Sequence, residues 1–86
     1  KMFLYILKSN KDNSYYIGIT QNLENRLQKH NKGQVFSTKS RMPWNIIHKE
    51  RYNTRSEAFK REKYLKSLKS REALEKLFKA SSSSSV

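Results

Sequence analysis

Met2–Lys8 (MFLYILK) is an unbroken apolar, β-prone run, the pattern of a strand covered on both faces. Asn10-Lys11-Asp12-Asn13 gathers turn-forming residues, and Tyr15–Thr20 (YYIGIT) resumes the β-prone character, so the two runs predict a hairpin. Asn22 stands where a cap is wanted for a helix predicted over Leu23–Lys32, and Gly33 falls where a left-handed residue stops a helix. Gln34–Met42 is polar and basic and reads as a loop. Pro43, which lacks an N–H, is tolerated at the start of a third strand, Trp44–Glu50 (WNIIHKE). Thr54-Arg55-Ser56-Glu57 matches a capping box and opens a helix reaching about Leu68. Ser70 opens a last helix with Leu74, Leu77 and Phe78 as its apolar positions. The order β-β-α-β-α-α predicts an α+β fold: a three-stranded, mostly antiparallel sheet flanked by helices. One domain is expected over 2–79, followed by a Ser-rich, disordered tail over 80–86.

Gly18 interrupts the second strand, where a glycine weakens packing and marks a bulge, a bend or a close approach to the backbone. Tyr15 and Tyr16 alternate in direction, so only one of them can share a face with Tyr5 of the first strand. At about 100° per residue, Arg26 and His30 stand one turn apart and border the apolar stripe of their helix. Each is explained locally by a snorkelling arginine or a satisfied, half-buried histidine. Glu62 lies between Phe59 on one side and Ala58 with Leu65 on the other, which points it toward the core. A carboxylate there needs a cation, a metal or access to a cleft, and a salt bridge to a nearby Lys or Arg is the plain alternative. Glu57 is accounted for by the capping box.

Charge narrows the partner. Nineteen Lys and Arg against seven Asp and Glu give a net charge of +12, which favours a polyanion, with nucleic acid foremost. Lys39, Arg41, Lys60, Arg61, Lys63 and Lys66 are candidate nucleic-acid contacts, significant as a cluster and individually ordinary surface charges. The chain has no cysteine, which excludes disulfides and thiolate metal sites and fits a reducing compartment. No apolar run is long enough to span a bilayer and no signal-peptide pattern precedes the first strand, so the expected location is cytoplasmic, without a membrane partner. Tyrosine, arginine, histidine and glutamate from separate elements could supply the base, phosphate clamp and metal ligand of phosphodiester hydrolysis.

Tyr5 within FLYIL, Tyr16-Ile17-Gly18 eleven residues later, Arg26 with His30, and the helix RSEAFKREKYLK together resemble the GIY-YIG nuclease family, especially its short stand-alone bacterial branch. The similarity covers about Met2 to Leu68, and its ordered spacings are far more specific than YIG alone. The resemblance implies catalytic roles for Tyr5, Tyr16, Arg26, His30 and Glu62. Tyr5 would be the general base or orient the attacking water, and Tyr16 would line the same site. Arg26 would stabilise the phosphate, a role suited to a permanent cation, and His30 would help activate or position a tyrosine. Glu62 would hold one Mg²⁺ or Mn²⁺ together with water and substrate phosphate. Gly18 would be structural, leaving room beside Tyr16 for backbone packing or a phosphate strand.

The resemblance thus implies a metal-dependent DNA endonuclease of repair or recombination, acting on branched or damaged DNA. The first motif reads Phe3-Leu4-Tyr5 rather than Gly-Ile-Tyr. Where many full nucleases carry a late asparagine, this chain reads Ala73-Leu74-Glu75. No fused recognition domain is visible, which would leave specificity to a protein partner. The reading from another class is a non-catalytic nucleic-acid-binding module, or an accessory subunit that depends on a partner.

Overall fold

The computed structural model describes residues 1–68 and 72–77. Its elements are β1 (Met2–Ser9), β2 (Tyr15–Thr20), α1 (Leu23–Asn31), β3 (Trp44–Tyr52) and α2 (Arg55–Ser67), with a 3-10 turn at Lys39–Arg41. Residues 72–77 are helical; Ser70, Phe78 and the Ser-rich tail lie outside the described residues. Strand order is β2-β1-β3, and both pairings are antiparallel. The expected α+β architecture is therefore present. β1, the most apolar run, takes the central place, where both edges and both faces are covered.

Local chemistry sets the element ends. Asn22 accepts from the Asn25 N–H at 3.0 Å, which caps α1. Gly33, at φ 75°, supplies the left-handed residue that closes the helix. Thr54 accepts from the Glu57 N–H at 3.2 Å while the Glu57 carboxylate accepts from the Thr54 N–H at 3.2 Å, so the capping box is complete. The region read as a loop contains the 3-10 turn, and β3 runs two residues beyond Glu50.

Side chains alternate across the sheet and build a core on each face. Leu4, Ile6 and Ile17 pack with Leu65 of α2 and Leu74 of the 72–77 segment. Tyr5, Leu7 and Trp44 pack on the other face, against Leu23 and Leu27 of α1. Full burial of an aliphatic side chain is worth about 1.5–3 kcal/mol, so Leu4, Ile6 and Leu7 in β1 alone supply several. The register of β1 against β3 shifts between Ile6 and Leu7.

Asn31 joins α1 to β3. Its side chain accepts from the Trp44 N–H at 2.6 Å and donates to the Trp44 carbonyl at 3.1 Å. On the opposite face, Glu50 accepts from Arg61 at 3.1 and 3.3 Å, from Tyr52 at 2.5 Å, and meets His48 at 2.8 Å. Burial raises the Glu50 carboxyl, but hydrogen bonds from His48, Tyr52 and Arg61 outweigh it and hold the group below its usual range. This network ties α2 to the sheet.

Candidate active site

Tyr5 stands in the middle of β1, only 1% exposed, and pairs in register with Gly18 of β2. A Cβ built on Gly18 would come within 2.6 Å of the Tyr5 hydroxyl and 3.1 Å of the Tyr16 ring. The glycine therefore leaves room for a phenol crossing the neighbouring strand. That replaces the expected backbone or phosphate neighbour with a side chain, and its physical reason is the cross-strand register. Tyr16 lies on the same face as Tyr5, with ring centroids 6.3 Å apart. Tyr15 faces the other way and donates to Glu75 at 3.3 Å.

His30 is fully buried, deeper than the half-buried rim position read from its helix. Its Nε2 lies 3.0 Å from the Tyr5 hydroxyl and its Nδ1 2.8 Å from Thr38 Oγ1. Thr38 Oγ1 also donates to the Val35 carbonyl at 3.3 Å. A hydroxyl has one proton to give, so with that proton on Val35 the Nδ1–H of His30 donates to Thr38. Nε2 is then the acceptor for the Tyr5 O–H, a tautomer assigned from the network. Burial first, and the Arg26 charge second, lower the His30 pKa to about 4. The ring is neutral near pH 7.

Arg26 extends from α1 against both phenols. Its Nε is buried and has no hydrogen-bond partner among the described residues. Burial raises the Tyr5 pKa, the hydrogen-bonding pull of Arg26 lowers it, and the charges of Tyr16 and Glu62 raise it further; the net shift is upward. Such coupling puts Glu62 in the electrostatic neighbourhood of the Tyr5 hydroxyl.

Glu62 is largely covered but not sealed off. Its side chain is 14% exposed and pairs with Lys66 Nζ at 3.3 Å, one turn along α2. Phe59 is 54% exposed, so the buried stripe of the helix is Ala58 and Leu65 alone. That narrow stripe leaves Glu62 at the margin, where a carboxylate keeps solvent on one side. Among the described residues no group of three or more His, Cys, Asp or Glu converges. A lone carboxylate, 14% exposed, does not fit a closed protein cage; it fits a hard divalent cation that keeps most of its ligands as water and substrate oxygen.

The charged candidates fall in different settings. Lys39, Arg41, Lys60, Lys63 and Lys66 are exposed, with Arg41 3.9 Å from Asp12. Arg61 is engaged by Glu50. Two residues not named as site residues from the sequence also matter: Thr38, which fixes the His30 ring, and Trp44, whose ring centroid is 6.3 Å from that of Tyr16. Trp44 also donates its Nε1–H to the Thr38 carbonyl at 2.9 Å. Thr38 lies in a loop with no periodicity to flag it.

The GIY-YIG catalytic domain matches residues 1–77. The chain belongs to the GIY-YIG family. GIY-YIG relatives include a UPF0213 protein of Listeria welshimeri, 48% identical over 67 residues that cover 77% of this chain and 73% of the relative. A UPF0213 protein of Staphylococcus saprophyticus is 43% identical over 67 residues, covering 77% and 80% respectively. The solution structure of a UPF0213 protein from Bacillus halodurans is similar with a TM-score of 0.60 and 30% identity, over 92% of this chain and 83% of that one. The family is that of a nuclease domain, and these short bacterial relatives carry names that specify no activity. No described helix of this GIY-YIG chain is long and apolar enough to cross a membrane.

Proposed function

We propose that this chain is a metal-dependent endonuclease that hydrolyses DNA phosphodiester bonds in repair or recombination. The observation that carries the reading is Arg26, whose guanidinium acts on Tyr5 and Tyr16 while its buried Nε has no hydrogen-bond partner among the described residues, together with the Tyr5–His30 hydrogen bond. An unused donor on a permanent cation favours an anionic acceptor, which a phosphate oxygen supplies.

Arg26 would clamp the phosphate and stabilise the charge that builds on it during attack. Tyr5 is the candidate for receiving a proton from the attacking water. With its pKa raised it is protonated near neutrality, so the ionised fraction, and with it the rate, grows toward alkaline pH. Neutral His30 accepts the Tyr5 hydrogen bond and holds the phenolic oxygen in place, while Tyr16 closes the wall of the site. Glu62 would hold Mg²⁺ or Mn²⁺, which when bound supplies Lewis-acid polarisation of the phosphate. Lys39, Arg41, Lys60, Lys63 and Lys66 would attract the rest of the backbone through charge, with branched or damaged DNA and a partner that confers specificity as further parts of the proposal.

A nicking assay on supercoiled plasmid and on flap DNA with Mg²⁺ or Mn²⁺ tests this. The parent should cut both, while Glu62→Ala and Arg26→Ala should lose cutting. Binding without nicking by the parent would favour the non-catalytic module, and equal cleavage by Glu62→Ala would remove the metal role.

A further inference from the structure

A cleft of about 400 Å³ opens between the β2–α1 turn and the first turn of α2. Thr20, Gln21, Asn22, Asn25, Arg26 and Arg55 supply its polar lining. We propose that it seats a nucleic-acid backbone phosphate adjacent to the scissile one, with Arg55 as the charged contact. The inference rests on the nuclease reading above and adds a contact outside the charge cluster named from the sequence.

Charge is the first support. Two guanidiniums line the cleft and no carboxylate does, among the described residues. Glu24, the acidic residue in the first turn of α1, lines a separate groove with Leu27 and Ile46. The donors are the second support. Asn22, which lines the cleft, spends its side-chain oxygen on the Asn25 N–H, so what its side chain has left to offer is the amide NH₂, a donor. Donors and cations with no competing acid select an anion.

Arg55 is the third. It occupies the first helical position of α2, where a cation opposes the helix dipole, and it is exposed. No ion pair with Arg55 appears among the described residues. The residue is thus placed against its local electrostatics, and an anion in the cleft reverses that sign. Arg26 faces Tyr5 as well as the cleft, so the two phosphate positions are contiguous.

The test is fluorescence anisotropy of a labelled DNA duplex in EDTA, with the full chain, across a salt series. Arg55→Gln should lower the slope of log K against log salt by about one, which corresponds to roughly 5- to 10-fold weaker binding near 0.1 M salt. Its melting temperature should stay level or rise, because the unfavourable cation is gone. Asn22→Asp keeps the cap oxygen but replaces the donor with a negative charge, and should weaken binding further. An unchanged affinity and slope for Arg55→Gln, with a parent that binds and nicks DNA, overturns the cleft assignment alone. A parent that binds no DNA at low salt overturns both this and the nuclease reading.

Discussion

Acid should destabilise this protein through His30 in particular. The ring is buried, accepts from Tyr5 through Nε2, and faces the Arg26 charge, so its pKa falls from 6.5 to about 4 in the folded chain. In the unfolded chain the ring regains its ordinary pKa. Between those two values the unfolded state binds more protons than the folded one, so stability rises with pH across the window and is lost as pH falls. The loss begins as pH drops through 6.5 and levels off below about 4. Acidification from pH 7 to pH 4.5 should remove about 2 kcal/mol, a large part of the stability of so small a domain. Urea unfolding followed by Trp44 fluorescence gives the free energy at each pH. Glu50, held below its usual pKa, adds its own loss at still lower pH, but a His30→Gln chain shares that term. The parent should therefore lose about 2 kcal/mol more than His30→Gln over the same interval. Equal losses in the two chains would refute a neutral, buried His30.

Gly18→Ala should cost about 1–3 kcal/mol and displace the Tyr5 hydroxyl from His30, seen as lower urea midpoints and a changed imidazole ¹⁵N shift. Asn31→Ala removes both bonds to the Trp44 backbone and should cost about 1–3 kcal/mol by the same unfolding assay. Tyr5→Phe should reduce nicking by about 10²- to 10⁴-fold while duplex affinity by anisotropy stays within twofold of the parent, about the range expected for loss of a general base alone. Glu50→Gln takes the charge away from the Arg61 pair and should cost about 1–3 kcal/mol without changing DNA affinity.

The fold was legible in the sequence because its local signals agreed with one another. Asn22, Gly33 and the Thr54–Glu57 box each set a helix boundary through neighbours a few residues away. Alternation required that only one of Tyr15 and Tyr16 share a face with Tyr5, and the family resemblance singled out Tyr16, which does lie there. What the sequence could not convey was pairing between distant segments. Gly18 announced a close approach, but only the β1–β2 register reveals that Tyr5 makes it. Thr38 was invisible because its meaning lies in a bond to a ring eight residues back, made by a loop with no repeating pattern. The helical wheel weights Phe59 as core, whereas the helix is seated on Ala58 and Leu65 and leaves that ring 54% exposed; Glu62, on the same wheel, is largely covered, its side chain 14% exposed.

The central position of β1 has a consequence for motion. Its amides are paired on both edges, so they should exchange with solvent only when the whole domain opens, whereas α1 and α2 are each braced from one side. Tyr5 rides on the slow-exchanging strand, while Arg26 and Glu62 ride on the helices. Tyr5 is thus held on a stationary strand, while Arg26 and Glu62 belong to two separately yielding units. A substrate of irregular shape could be accommodated by small helix displacements while the phenolic oxygen stays put.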